Sequence, residues 1–197
     1  TVTGLSVGTN TFMWTISNLP CPSSSDLVNI IISALPTVAD AGLDQNLCNV
    51  TTSTFSGNTP VIGTGLWTLI AGSGTITTPS SPTSGVTGLA VGTNTFEWTI
   101  TNGSCPASSD QMSIIISALP TVANAGPDQN LCNVFNSTFV GNNPLVGSGL
   151  WTLVAGSGTI TTPSSPSSTV TGLSLGINTF MWTISNGSCP SSSDLVG

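Results

Sequence analysis

The chain contains no lysine, arginine, histidine or tyrosine, and it carries only seven carboxylates in 197 residues. Charged residues make up 4% of it, against about a quarter of an ordinary globular chain. With no cationic side chain there are no side-chain salt bridges. Nothing neutralises phosphate, so nucleic acid is excluded as a partner. Without His, Lys or Tyr, acid–base chemistry near neutral pH would fall to a tuned carboxylate alone, and the chain reads as not an enzyme. Long hydrophobic runs are missing too. Mean hydropathy is +0.37, yet the longest apolar run, around Ile30, Ile31 and Ile32, is broken by Asn29 and Ser33. A membrane-spanning helix needs about 20 apolar residues, so no membrane insertion is expected.

What is present is repetition. TNTFEWTI at residues 93–100 returns as TNTFMWTI at 9–16 and INTFMWTI at 177–184. Trp14, Trp98 and Trp182 therefore recur with a constant period of 84 (98 − 14 and 182 − 98). Trp67 and Trp151 share that spacing, as do Cys21, Cys105 and Cys189, and Cys48 and Cys132. Residues 36–113 align without a gap on 120–197 with 57 identities in 78 positions. Fixed-period self-similarity marks an array, and a unit of this length is enough for a small domain with its own core. The expected units are 1–35, the C-terminal part of a repeat; 36–119, a complete repeat; and 120–197, a repeat without the end of its last strand. Residue 1 has the phase of Gly85 and residue 197 that of Asn29, so the chain is expected to be a window of a longer polypeptide. The rival expectation is strand donation between copies through Ile30–Ile32.

The units read as β-structure. Phe96, Trp98 and Ile100 alternate with Thr95, Glu97 and Thr99, the pattern of a half-buried strand. Turn signals such as GSG, PSSP, VGTN and NGSCP punctuate the chain, and no segment has a helical period. Short strands at this spacing predict tandem immunoglobulin-like β-sandwiches. Trp14, Trp67, Trp98, Trp151, Trp182, Phe96 and Phe180 are the expected core. Glu97 and Met181 should face outward, because an uncompensated buried charge is too costly.

Each longer unit has two cysteines, Cys48 with Cys105 and Cys132 with Cys189, at the same spacing in both (105 − 48 = 189 − 132 = 57). Their order around Trp67 follows the immunoglobulin pattern, although Cys105 sits after its strand, beside Pro106. Disulfides Cys48–Cys105 and Cys132–Cys189 are the expected pairing; free buried thiols and metal ligation are the rivals. Two cysteines without His make a poor zinc set. Closing a loop of this size contributes about 4 kcal/mol in the chain-entropy model. Disulfides imply an oxidising compartment, hence an extracellular, cell-surface or secreted location. Cys21 then has its partner upstream of residue 1.

ANAGPDQNLC at residues 123–132, GSGLWTLVAGSGTITTPSSP at 147–166 and VTGLSLGINTFMWTISNGSCPSSSD at 170–194 resemble the PKD-like, immunoglobulin-like repeats of very large Bacteroidetes surface proteins, gliding-motility adhesins among them. The resemblance implies a β-sandwich array, export by the type IX secretion system, and a role as stalk or adhesive filament. It also implies a basic residue before the strand tryptophan, where this chain has Met13, Glu97 and Met181.

Asp40, Asp44 and Asp128 stand at unit junctions. Carboxylates there can hold Ca²⁺, which takes six to eight oxygens; the competing reading is turn chemistry. No other cofactor is expected. Asn49, Asn102, Asn136 and Asn186 begin N-x-Ser/Thr triplets, which abundant Asn, Ser and Thr generate by chance. The expected function is a structural stalk or spacer in surface attachment or gliding motility. Its partners are neighbouring repeats and lateral copies in a filament. The alternative is a carbohydrate- or surface-binding β-sandwich module, with the divergent loops GNTPVIGTG (57–65) and GNNPLVGSG (141–149) as the place to look.

Overall fold

The computed structural model describes residues 1–197, and every regular element is a strand. The chain opens with a hairpin of β1 (Gly8–Asn18) and β2 (Cys21–Ile32). Around a first core lie β3 (Gln45–Cys48), β4 (Thr52–Thr54), β5 (Thr64–Ala71), β6 (Thr75–Ile76), β7 (Gly85–Thr87), β8 (Gly92–Thr101) and β9 (Ser108–Ser117). Around a second lie β10 (Asn136–Thr138), β11 (Ser148–Ala155), β12 (Thr159–Ile160), β13 (Thr169–Thr171), β14 (Thr179–Ser185) and β15 (Ser192–Val196). Each core is closed by two sheets, β3-β9-β8-β5 over β4-β7-β6 and β11-β14-β15 over β10-β13-β12. These are β-sandwiches. No helix is long and apolar enough to cross a membrane.

The strand phase follows the alternation. Phe96, Trp98 and Ile100 are buried to 0% exposure. Glu97 turns to the opposite face of β8, where Gln111 Nε2 donates to its Oε2 at 3.1 Å from β9. Phe55 stacks on Trp67 with centroids 4.2 Å apart, and Trp67 meets Trp98 at 5.1 Å. Phe139, Trp151 and Trp182 repeat this at 4.0 and 5.0 Å. Buried indole N–H groups need acceptors, and they have them: Trp98 donates to Asn58 Oδ1 and Trp67 to the Pro82 carbonyl, both at 3.2 Å. Gly65 lies flat beneath Trp98, where a Cβ would come within 2.1 Å of the ring. Asn94, buried in β8, accepts from Ser73 N and donates to the Ala90 and Ile114 carbonyls, tying the β5–β6 turn to the sheet.

Of the expected core residues, Trp67, Trp98, Trp151, Trp182, Phe96 and Phe180 are buried. Trp14 is not: it is 72% exposed. What covers Trp98 is Trp67 from β5, and the β1–β2 hairpin has no strand beyond its own pair. The second core is also smaller, nine buried residues against twelve. Where Ile114 and Ile116 fill the first core, the second has an open groove of about 380 Å³ lined by Leu131, Phe135, Phe139, Leu173, Phe180 and Val196.

Candidate functional site: the joint between the cores

The segment entering each core is pinned to its last strand by side chains of that strand. Ser108 Oγ accepts the Ala39 N–H at 2.9 Å, and Asp110 Oδ2 accepts the Ala41 N–H at 2.8 Å. Ser192 and Asp194 do the same for Ala123 and Ala125. The junction carboxylates are likewise engaged with backbone: Asp40 with Gly42 N, Asp44 with Ser113 N, and Asp128 with Gly197 N. Each satisfies one donor, and no three acidic or otherwise metal-ligating side chains gather at one point.

Where the cores meet, the turn between β14 and β15 presses on the residues just after β9. Asn186 Nδ2 donates to the Ala118 carbonyl at 2.7 Å. Gly187 passes so close to Ser117 that a Cβ would clash with its side chain. Beside this contact Cys189 is disulfide-bonded to Cys48, with Cα atoms 4.8 Å apart. Cys48 reaches the joint because β3 runs parallel to β9 and places it opposite Ser117, the last residue of β9. The Ser117 carbonyl accepts the Asn49 N–H at 2.9 Å.

This corrects the expected pairing. Cys48–Cys105 and Cys132–Cys189 do not form; the structure has Cys48–Cys189, with Cys21, Cys105 and Cys132 unpaired. The reason is strand direction. Cys105 lies in the turn that leads into β9 at Ser108, while Cys48 lies at Ser117, nine residues along the same strand, or about 30 Å at 3.3 Å per residue. Disulfide-bonded Cα atoms lie within about 7 Å. Cys189 and Cys132 are separated in the same sense: Cys189 precedes β15, and Gln129 N already bonds the Gly197 carbonyl beyond its end. The position of Cys105 after its strand was the available sign that the immunoglobulin-type order did not apply.

The same joint recurs between the hairpin and the first core. Asn102 Nδ2 donates to the Ala34 carbonyl at 2.8 Å, and the Cys105 thiol to the Ser33 and Ala34 carbonyls at 3.4 and 3.2 Å. Gly103 packs on Ser33 as Gly187 does on Ser117. Two of the N-x-Ser triplets, at Asn102 and Asn186, thus spend their amides on the joint. The triplets alone give these asparagines no role in the fold, though their place three residues before Cys105 and Cys189 is legible. The divergent loops flank the same joints: Thr37 N donates to the Ile62 carbonyl and Thr121 N to the Val146 carbonyl, both at 3.0 Å, while Val61 and Leu145 are 90% and 91% exposed.

No protein-family model matches the chain, and no curated protein sequence matches it. Solved structures do. A three-immunoglobulin-domain segment of titin, in an E-to-A variant, aligns over 96% of this chain and 73% of its own, with TM-score 0.55 and 13% identity. The PKD domain of the KIAA 1837 protein aligns over 47% of this chain and 92% of its own, with TM-score 0.37 and 27% identity. The insect immune protein hemolin aligns over 94% and 55%, with TM-score 0.39 and 11% identity. The likeness to titin shows an immunoglobulin-like β-sandwich fold.

Proposed function

We propose that this chain is a structural spacer: immunoglobulin-like, PKD-like repeats with a period of 84, set in series as units 1–35, 36–119 and 120–197, in the stalk of an extracellular adhesin or surface filament. The single observation that carries the reading is the joint. One end of the first sandwich is covalently tied to the opposite end of the second, and Asn186 fixes the same contact. A disulfide suits an oxidising, extracellular setting. A surface without Lys or Arg gives trypsin-like proteases nowhere to cut. The resemblance to Bacteroidetes surface repeats extends the reading to type IX export and gliding motility.

The test is solution shape. A compact body of 197 residues has a radius of gyration of about 16 Å, whereas sandwiches of about 33 Å each in line exceed it clearly. Small-angle scattering should give a rod; a value near the compact limit overturns the spacer. The exposed Val61 and Leu145 at the loop tips favour one second reading, a glycan- or surface-binding module. That reading requires binding to a glycan or surface panel that Val61→Ser with Leu145→Ser abolishes.

A further inference from the structure

The structure contains two copies of one joint, one closed by a disulfide and one not. At the closed joint Cys189 Sγ lies 3.4 Å from the Ser117 carbonyl, beside Cys48. At the open joint Cys105 Sγ lies 3.4 Å from the Ser33 carbonyl. The asparagine clamps agree as closely, 2.7 Å at Ala118 and 2.8 Å at Ala34. Cys105 therefore already holds the position of a bonded half-cystine. What it lacks is a strand lying parallel to β2 as β3 lies parallel to β9, because β2 pairs only with β1. Cys132 is the other half: it follows Gln129-Asn130-Leu131 as Cys48 follows Gln45-Asn46-Leu47, and it is exposed.

We propose that Cys105 and Cys132 are the open halves of the inter-unit disulfide that Cys48 and Cys189 form, each completed by the complementary cysteine of another unit of this type. Cys105 takes a cysteine from a Gln-Asn-Leu-Cys strand. Cys132 takes one from an Asn-Gly-Ser-Cys turn. Every full unit is then stapled at both poles, its early cysteine to the unit on one side and its late cysteine to the unit on the other. For each bond, two thiols give two protons and two electrons to the disulfide of an oxidised dithiol carrier, which leaves as the dithiol. The proposal rests on the repeat reading above, but the shape measurement does not depend on it, so the two fail separately.

The experiment is peptide mapping of the native protein, denatured with an alkylating agent and cleaved without reduction by two proteases, one that cuts at aromatic residues and one that cuts before aspartate, so that Asp110 and Asp128 separate Cys105 from Cys132 and Asp44 separates Cys48 from Cys21. The Cys105 peptide should be joined to a Gln-Asn-Leu-Cys peptide, and the Cys132 peptide, recognised by its Val134-Phe135 flank, to an Asn-Gly-Ser-Cys peptide. Both links should vanish on reduction. Non-reducing denaturing electrophoresis distinguishes the sources. A single band unchanged by reductant places the partner in the same polypeptide; a ladder that reductant collapses places it in a second copy. Recovery of Cys105 and Cys132 as alkylated thiols, or joined to each other, overturns the proposal.

Discussion

At the scale of the residue, the core was written in alternation. Phe96, Trp98 and Ile100 could be assigned inward from sequence because each outward neighbour is polar, and Glu97 could be assigned outward because no cation exists to receive it. The glycine beneath Trp98 was not legible, since nothing in GTGLW says which glycine an indole will cover. Gly65→Ala places a methyl within 2.1 Å of the ring, and overpacking of this kind costs about 1–3 kcal/mol. Denaturant unfolding should show that loss, while Thr68→Ala on the outward face should stay within about 0.5 kcal/mol. Asp110 offers a second test. Asp110→Ala orphans the Ala41 N–H, at a cost of about 1–3 kcal/mol. Asp110→Asn keeps an acceptor and should recover most of it. Chelator should leave the wild-type melting curve unchanged, because Asp40, Asp44 and Asp128 each accept a backbone N–H; a chelator-sensitive wild type would point to calcium at these carboxylates instead.

At the scale of the element, the long strands were legible and their neighbours were not. Period-two patterning fixes the phase of β8 and β14, but it does not say that β3 runs parallel to β9. That direction decides which pole of the sandwich Cys48 occupies, and so decides the disulfide. A four-residue strand carries too little pattern to reveal its partner. The register does explain the groove beside the second core. In the first core Gln45, Asn46 and Leu47 pair with Ile114, Ile115 and Ile116; Gln129 to Leu131 have no such partner. An extended peptide of sequence Ser-Ile-Ile-Ile-Ser-Ala-Leu, copied from residues 113–119, should add a strand there by main-chain hydrogen bonding and fill the groove with isoleucine. At a hundred times its Kd it should stabilise the second core by about 2.7 kcal/mol. The measurement is the melting temperature with the peptide and with a version carrying Asp at the three isoleucine positions. Equal melting with both peptides would show that the groove does not accept the strand.

At the scale of the whole molecule, the disulfide changes how the chain carries load. Tension applied at the two ends passes from residue 48 through the sulfur atoms to residue 189, because that path is shorter than the 141-residue separation between them. Both cores lie almost wholly inside the bypassed stretch, so the oxidised chain cannot be drawn out through them even if they unfold. Disulfides confined to single units would shield each core separately and leave the joint between them to extend. The inter-unit staple shields the joint as well, which is the property a stalk under shear requires. Single-molecule stretching reads this directly. The oxidised chain should lengthen only through the residues outside 48–189. Reduction should release about 500 Å more, at up to about 3.6 Å per residue. Cys48→Ser should give the longer extension with no reductant present, and Cys105→Ser should leave the shorter one unchanged. Equal extensions for the oxidised and reduced chains would mean that load does not cross the staple.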